Sequence, residues 1–334
     1  MAITTIDGLL AGMTGAQEFY KIGAGTQVVG RMYSLAYATG LPGAMNAPAG
    51  GLQGLGLTTK AGQLAFTNPG AGNSYLARLA AECANNGTLL LCDRLWENSG
   101  NSSTSTSAQT HTVAASSISV ANPTVVTTAA HGQASGTFTV HITGSNSTPS
   151  IDGTYTATYA SATTFTIPVN VTGSGSAGTV YIGVPPRDDD GSRNGKDVFL
   201  AYEVSGVMGA GTPTLTATYV NSAGTAGQVT PSITLATTMI AGSFIPLPLA
   251  AGDQGVRAVA SHTKNATQTS GTYHLVLYKV KAVLGLPIPG VGAGIDAITA
   301  GFPRLWNDTV PFLVWIPATT TAPTVSGRMV VAQG

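Results

Sequence analysis

The sequence is short of charged side chains, and this limits the partners that the protein can attract. Asp, Glu, Lys and Arg together make up 8% of its 334 residues, whereas about 25% is usual for soluble domains. Fourteen basic and fourteen acidic residues give a net charge of zero, and Lys and Arg form no run. A neutral chain gains no long-range attraction to a polyanion. We therefore expect neither nucleic acid nor a membrane surface as a partner.

Cysteine and long apolar segments are also scarce. The two cysteines, Cys83 and Cys92, are too few for a disulfide framework, so we expect two buried thiols. The N-terminal segment has no basic region before its short apolar run, unlike a secretory signal. The apolar stretch that begins at Ala282 is interrupted by Pro and Gly and is shorter than the roughly 20 residues that span a bilayer. These features predict a protein made in the cytoplasm without a membrane segment.

Gly, Ala, Ser and Thr take the place of the missing charge, beside an ordinary apolar content of 43%. A disordered chain combines low hydrophobicity with high net charge, and this chain has neither. Short segments rich in Val, Thr, Tyr, Phe and Ile alternate with period two between turn residues, which is typical of antiparallel strands. The predicted class is all-β: a jelly-roll-like antiparallel β-sandwich with an inserted small β-barrel or sandwich and an extended N-terminal region.

Composition divides the chain into three parts. Residues 1–80 are predicted to form a Gly/Ala/Pro-rich arm and the start of the core. Residues 81–97 together with 187–334 are predicted to form the β-sandwich core, and residues 98–186 an inserted β-module. Between residues 98 and 186 the only charged residue is Asp152, and this change of composition marks the insertion. A polar, low-complexity linker at residues 101–110 suits insertion at an exposed loop.

Three further segments carry predictions of their own. The stretch SYLARLAAECA, from Ser74, has an apolar spacing that fits either a short helix or a strand. Residues 41–57 are too rich in Gly and Pro for regular structure, and are either an extended arm lying on a neighbouring molecule or an ordinary long loop. The stretch IDAITAGFPRLW, residues 295–306, is predicted to form one short helix that ends near Pro303.

Residues that carry catalysis are not indicated. No pair of histidines has metal-ligand spacing, no GxSxG nucleophile motif occurs, and titratable groups for acid–base chemistry are few. We therefore predict a protein that is not an enzyme, with no catalytic residue and no cofactor. The two histidines that lie within alternating strands, His141 and His274, are expected to be surface or core residues.

One charged cluster, PPRDDDGSRNGKD at residues 185–197, is the weak candidate for a metal site. It contains oxygen ligands of the type that Ca²⁺ prefers, namely Asp188, Asp190, Asn194 and Asp197. No Glu closes the loop and no helices flank it, as they would in an EF-hand. The interpretation that we favour is a solvated loop in which Gly191 and Gly195 supply the turns.

The middle of the chain resembles a known module. The segment HGQASGTFTVHITGSNSTPSIDGTYTATYASATTFTIPVNVTGSGSAGTV, residues 131–180, resembles a small β-module that recurs in bacteriophage virion proteins. The resemblance covers about residues 120–182 and rests on His131-Gly132, Ser145, residues 149–155 and residues 163–167. This family usually has Gly-Asp before its second strand. Here Ser135-Gly136-Thr137 occupies that place, so a carboxylate is missing although the turn is retained.

The flanking regions resemble a second family of phage structural proteins, which implies a component of the virion. The resemblance rests on four segments: MAITTIDGLLAGM, GQLAFTNPGAGNSYLARL, LLLCDRLWENSG and IDAITAGFPRLWNDTVPFLVWIPATTT. Other members run from the DRLW strand almost directly to PPRDDDGSRNG, which agrees with an insertion. The leading hypothesis is a non-enzymatic capsid decoration or cement protein that binds neighbouring major capsid subunits. We expect a homo-oligomer, preferably a trimer, located in the virion after assembly in the host cytoplasm.

Three alternative functions remain open at this stage. The first is a tail or fibre component whose inserted module binds host glycans through its aromatic residues Tyr155, Tyr159, Phe165 and Tyr181. Against this, alternate aromatic side chains are expected to fill the core of the module. The second is the major capsid protein, although the long spine helix typical of that class is not indicated. The third is a hydrolase of the host envelope, although no paired carboxylates are evident.

Overall fold

A computed structural model describes residues 5–46, 48, 51–188, 190–299, 301 and 303–334. Regular structure in these residues is almost entirely β-strand, and the strands pair antiparallel. The helical elements among the described residues are α1 (Ile6–Ala11) and a 3₁₀ turn (Leu35–Tyr37). The all-β, antiparallel class that was predicted is therefore confirmed.

The described residues form twenty-five strands. In chain order they are β1 (Gln17–Ile22), β2 (Met32–Ser34), β3 (Thr39–Leu41), β4 (Leu55–Gly56), β5 (Ser74–Cys83), β6 (Gly87–Glu97), β7 (Asn101–Ser102), β8 (Gln109–Thr110), β9 (Thr112–Ile118), β10 (Thr124–Thr128), β11 (Thr137–Thr143), β12 (Gly153–Ser161), β13 (Thr164–Ile167), β14 (Thr179–Ile182), β15 (Phe199–Gly206), β16 (Thr214–Asn221), β17 (Gln228–Val229), β18 (Ile233–Thr234), β19 (Ser243–Leu247), β20 (Val256–Lys264), β21 (Thr272–Leu286), β22 (Ala293–Asp296), β23 (Arg304–Leu305), β24 (Pro311–Pro317) and β25 (Thr324–Gln333).

Six strands close into a ring that forms the middle layer of the core. Their order is β6-β24-β2-β19-β15-β21, and β21 pairs back onto β6. Side chains fill the interior of a small closed ring, and here Leu90, Cys92, Phe244, Val276 and Phe312 belong to one buried cluster. Successive side chains of a strand point to opposite faces. The residues of β6 that alternate with Leu90 and Cys92 therefore point out of the ring and contact the layers that pack on it.

Two further layers pack on the outside of this ring. Sheet A consists of β22-β5-β25-β1-β3, with β23 also paired to β5. Its Leu79 and Met329 share a buried cluster with Leu89 and Trp315 of the ring. Sheet B consists of β17-β16-β20-β8, with β18 also paired to β16, and packs on the opposite set of ring residues within a second cluster. The core is thus layered face to face, as in a sandwich.

Strands β9 to β14, residues 112–182, form a separate closed barrel. The order around this barrel is β10-β13-β12-β11-β14-β9. Alternate residues point inward, so that Val126, Val140, Phe165 and Val180 are fully buried. The module's one carboxylate has a structural role: Asp152 accepts hydrogen bonds from the backbone N–H groups of Gly144 and Ser145, at 3.0 and 2.7 Å, and so fixes the turn after β11.

The barrel enters and leaves the core along one edge of β20. Thr110 pairs with Ser261 before the barrel, and Gly183 pairs with Ala258 after it. These two positions on β20 are three residues apart, or about 10 Å, which is the closeness of ends that an insertion requires. Strands β7 and β8 pair with β21 and β20, so residues 98–110 are joined to the core. The barrel itself therefore covers a shorter stretch of the chain, residues 112–182, than the predicted module of residues 98–186.

Two of the local predictions are decided by hydrogen bonding. The stretch from Ser74 forms the strand β5. The helix predicted over residues 295–306 is wrong, because Ala293–Asp296 and Arg304–Leu305 are strands that pair with β5. The carboxylate of Asp296 accepts hydrogen bonds from the N–H groups of Ile298 and Thr299 and so fixes the turn after β22. The chain turns there and returns to β5 as β23. Residues 300 and 302 lie outside the described part.

The N-terminal region is part of the core. Strand β1 pairs with β25 along its whole length. In the Gly- and Pro-rich segment of residues 41–57, Met45 and Leu57 are buried against other parts of the same chain. Its described residues form a loop that packs on the core and contains the two-residue strand β4. Residues 47, 49 and 50 of that segment lie outside the described part.

We predict that the core folds without the barrel. In the variant that tests this, a short Gly/Ser linker replaces residues 112–182, and β7 and β8 are kept. The hydrogen bond from the N–H of Leu275 to Asn98 and the bond from Ser103 to Gln268 are also kept. The variant loses the contact of Tyr181 with Val220 and Ala258 and the hydrogen bonds that Arg257 and Gln133 make between barrel and core, so we expect cooperative thermal unfolding at a lower Tm. A variant without a cooperative transition would show that the barrel is required for the core to fold.

Candidate interaction face

Exposed large apolar side chains concentrate on and around sheet A. The exposed set there includes Ile6 and Leu10 of α1, Tyr20 and Ile22 of β1, Leu41 of β3, and the loop residues Val28, Val29, Ile288, Val291 and Ile298. Ile298 is 86% exposed and Ile6 is 77% exposed. Within the described residues of the barrel, Val120 is the one exposed large apolar side chain. Contiguous exposed apolar surface marks sites of interaction.

The outer side of sheet A also carries a shallow trough of about 700 Å³. Small residues of β5, β22 and β25, among them Ala80, Gly294 and Gly327, line it. Its other lining residues include Tyr20, Leu41 and four charged side chains, namely Glu18, Arg78, Glu82 and Arg328. None of these four forms an ion pair with another described residue. We use the name outer face for the surface that consists of this trough and the adjacent side chains of Tyr20, Ile22 and Leu41.

The acidic loop that was a candidate calcium site is organised by its own hydrogen bonds. Asp188 is buried, and its Oδ2 accepts hydrogen bonds from Ser192 Oγ and from the N–H groups of Gly195 and Lys196, at 3.0, 2.7 and 3.2 Å. Asp190 accepts from the N–H of Ser192 at 2.9 Å. No metal-binding group of three His, Cys, Asp or Glu residues is present among the described residues.

The other two candidates in this loop are exposed. Asn194 and Asp197 lie on its surface, and Asp197 has a positive φ of 57°. The interpretation as a solvated loop is therefore incorrect for Asp188 and for its neighbour Arg187, which is also buried. Gly191 and Gly195 both have a φ of 74° and supply the turns as expected.

A buried charged cluster in the ring was not predicted from the sequence. Arg94 of β6 donates hydrogen bonds to Glu97 Oε2 at 2.8 Å and to Glu203 Oε2 of β15 at 2.5 Å. His274 of β21 lies 2.8 Å from the same oxygen of Glu203, and Lys60 pairs with Glu97. Burial alone would raise the pKa of Glu203, but the charges of Arg94 and His274 outweigh it and the pKa is lowered.

Arg187 extends this cluster to the segment that follows the barrel. Its side chain pairs with Asp93 at 3.0 Å and donates to the backbone carbonyls of Leu57 and Arg94, at 2.8 and 2.9 Å. One buried guanidinium thus joins three segments that are far apart in the chain. The available sequence signal was the presence of Asp93, Arg94 and Glu97 within or beside an otherwise apolar, buried strand.

Two histidines form a second buried polar cluster where the barrel joins the core. His111 Nδ1 lies 2.5 Å from the carbonyl oxygen of Leu52, and its Nε2 lies 2.8 Å from His262 Nδ1. His262 Nε2 in turn lies 2.9 Å from the hydroxyl of Tyr273. The chain of bonds is complete when both rings are neutral: His111 donates to Leu52, His262 donates to His111, and Tyr273 donates to His262.

The remaining predicted residues have structural roles. Of the aromatic side chains in the module, Phe165 and Tyr181 are buried and are unable to stack on a sugar, whereas Tyr155 and Tyr159 are partly exposed. His141 and His274 are buried in their strands, as one of the two interpretations expected. Cys83 and Cys92 are buried free thiols, which confirms that prediction. None of the described helices has the length and apolar character needed to cross a membrane.

Comparison with known proteins gives only slight likenesses. No protein-family model matches the chain, and no curated protein sequence matches it. Among solved structures, the VP2 subviral particle of infectious bursal disease virus is 10% identical, with a TM-score of 0.14, over 97% of this chain and 82% of that chain. The structure of the Gt strain of that virus is 12% identical, with a TM-score of 0.12, over 96% of this chain and 82% of that chain. Similarity this low carries no argument about fold or function.

We predict that removing Arg94 strongly destabilises the protein. The substitution Arg94→Met leaves Glu203 and Glu97 buried without their shared partner, and breaking a buried ion pair in this way costs about 3–5 kcal/mol. The free energy of unfolding, measured in denaturant, should fall by that amount. Arg78→Met, on the exposed side of β5, is the matched control and should change it by less than about 0.5 kcal/mol. Equal losses in the two variants would contradict a structural role for the cluster.

We also predict that stability falls as the pH is lowered from about 6.5 to about 4. Burial lowers the pKa of His111 to about 4 and that of His262 well below its usual value. A lowered pKa means that stability is full above the unfolded-state pKa of about 6.5 and is lost as the unfolded chain takes up protons. For His111 the loss is about 3 kcal/mol. His262→Gln should flatten the dependence of the unfolding free energy on pH over this range, and an unchanged slope would refute the assignment.

Proposed function

We propose that this chain is a non-enzymatic structural protein of a virus particle, and specifically a decoration or cement protein of a phage head. The proposal rests on the outer face, where exposed apolar side chains and charges of both signs surround a trough. The resemblance of the sequence to phage virion proteins supplies the context. The major capsid protein is the proposed partner, and nucleic acid and membrane are not.

The distribution of surface chemistry supports an orientation for this binding. The described surface of the barrel has a single exposed large apolar side chain, Val120, whereas the outer face and its flanks have many. An interface that excludes water draws on apolar and aromatic side chains. We therefore place the outer face against the capsid and the Thr- and Ser-rich barrel towards solvent.

Strand addition is disfavoured at the edges of sheet A. The edge strands β3, β22 and β23 have three, four and two residues, and short edge strands offer few unpaired backbone groups to a partner. Binding is therefore expected to use the face of the sheet. Each contact buries a modest area, and the proposed homo-oligomer, preferably a trimer, would add affinity because several copies of the face bind at once.

We predict that charge on the outer face abolishes binding to heads. Tyr20→Glu and Ile22→Glu place a carboxylate on the exposed side of β1, where an interface would have to desolvate it. Purified phage heads that lack the protein should bind these variants at least tenfold more weakly than the parent in cosedimentation. Val120→Glu on the barrel is the control and should bind like the parent.

A reconstruction of the particle by electron cryo-microscopy then tests the location. Density for the protein that repeats over the head lattice between capsomers, with the barrel outermost, would support the proposal. Density confined to the tail would contradict it and would favour the alternative of a tail or fibre component. Binding of heads that is unaffected by Tyr20→Glu and Ile22→Glu would exclude the outer face as the interface.

A further inference from the structure

A second surface feature lies where the barrel meets the core, and it shares no lining residue with the trough of the outer face. It is a cleft of about 450 Å³, within the range of about 300–1,000 Å³ that is usual for ligand sites. One wall consists of barrel residues from β11 and β12, namely Thr137, Phe138, Thr139 and Thr156. The other wall includes Arg193 of the acidic loop and Arg304, Trp306 and Asn307 around β23. Asp308 also lines this wall, and its carboxylate accepts a hydrogen bond from Asn68.

Two arginines in this cleft lack acidic partners among the described residues. Neither Arg193 nor Arg304 forms an ion pair there. The Nε atoms of both side chains are buried without a hydrogen-bond partner in the described structure, as is Nε1 of Trp306. A buried donor without an acceptor is costly, and the cleft that both side chains line is where an anion would approach the two guanidinium groups.

The side chain of Arg304 and the loop that carries Arg193 are held in place by the surrounding structure. The guanidinium of Arg304 lies 3.4 Å from the ring centre of Trp306, and it donates a hydrogen bond to Asn73. Arg193 lies in the loop that is fixed by the hydrogen bonds to Asp188. Gly191 of the same loop approaches Trp306 so closely that a Cβ atom would lie 2.5 Å from the ring. The acidic loop thus positions a cationic side chain.

The lining selects among classes of anionic ligand. A peptide that binds by strand addition needs a free strand edge, but β11 and β12 are paired on both sides within the closed barrel. A nucleic acid is disfavoured by the zero net charge of the chain. The hydroxyl groups of Thr137 and Thr156 and the amide of Asn307 are the donors and acceptors that ring hydroxyls require.

We propose that this cleft binds an acidic saccharide, a sugar unit that carries a carboxylate. The guanidinium groups of Arg193 and Arg304 pair with the carboxylate, because their planar N–H groups match its two oxygens. The threonine hydroxyls and Asn307 bind the hydroxyl groups of the sugar. This inference is independent of the proposed attachment to a capsid, which uses the outer face.

Titration of the full-length protein with matched saccharides tests the proposal. The probes are cellobiouronic acid, digalacturonic acid and sialyllactose, with the neutral cellobiose and lactose and with inorganic phosphate as comparisons. Binding is followed by calorimetry and by tryptophan fluorescence. Trp96 and Trp315 are fully buried, so a change in fluorescence on binding reports Trp306. At least one acidic saccharide should bind at least tenfold more tightly than its neutral counterpart and than phosphate.

Variants then assign the binding to the cleft. Arg193→Gln should weaken binding of that saccharide at least tenfold, and Thr156→Val should weaken it by a smaller factor. Arg31→Gln, at an exposed arginine that does not line the cleft, should leave it unchanged, and all three variants should still bind phage heads. The proposal is overturned if no acidic saccharide binds, if phosphate binds as tightly, or if Arg193→Gln and Arg31→Gln bind alike.

Discussion

The buried guanidinium of Arg94 is the constraint on which the core depends. A charge removed from water must be paired, and Arg94 is paired with Glu97 of its own strand and with Glu203 of β15, which in turn contacts His274 of β21. These contacts fix three strands of the ring in one register. Sheets A and B pack on the outside of that ring, so their positions follow from it. Hydrophobic burial supplies the stability of the layers, and the ion pairs restrict how the strands can be arranged.

The burial of charged side chains also changes the composition of the surface. The chain has few charged residues, and Lys21, Lys60, Asp93, Arg94, Glu97, Arg187, Asp188, Glu203, Arg257, Lys264, Lys279 and Lys281 are buried. The exposed surface is consequently poorer in charge than the composition alone suggests. Surfaces with little charge have little electrostatic protection against association. This property suits a protein that works while packed against others.

The sequence was informative where the signal is local. Period-two alternation with turn residues identified β15, β16, β20, β21, β24 and β25. The helix predicted near residue 295 failed because Ala293–Asp296 and Arg304–Leu305 pair with β5, a strand that is distant in the chain, as β22 and β23. The pairing of Arg94 with Glu203 and His274 joins residues more than a hundred positions apart, so no local pattern indicates it. The outer face was equally hidden, since Tyr20 and Phe19 are both apolar and only packing shows which one is exposed.

The arrangement separates two surfaces physically. The outer face belongs to sheet A alone, whereas the cleft exists only because the barrel is docked on the core. That docking uses the hydrogen bonds of Arg257 with Thr154 and of Gln133 with the carbonyl of Gly54, and the histidine pair lies at the junction. A chain with the same core but without the barrel would keep the first surface and lose one wall of the second. The proposed ligand site thus depends on the inserted barrel, whereas the outer face does not, because different residues line the cleft and the trough.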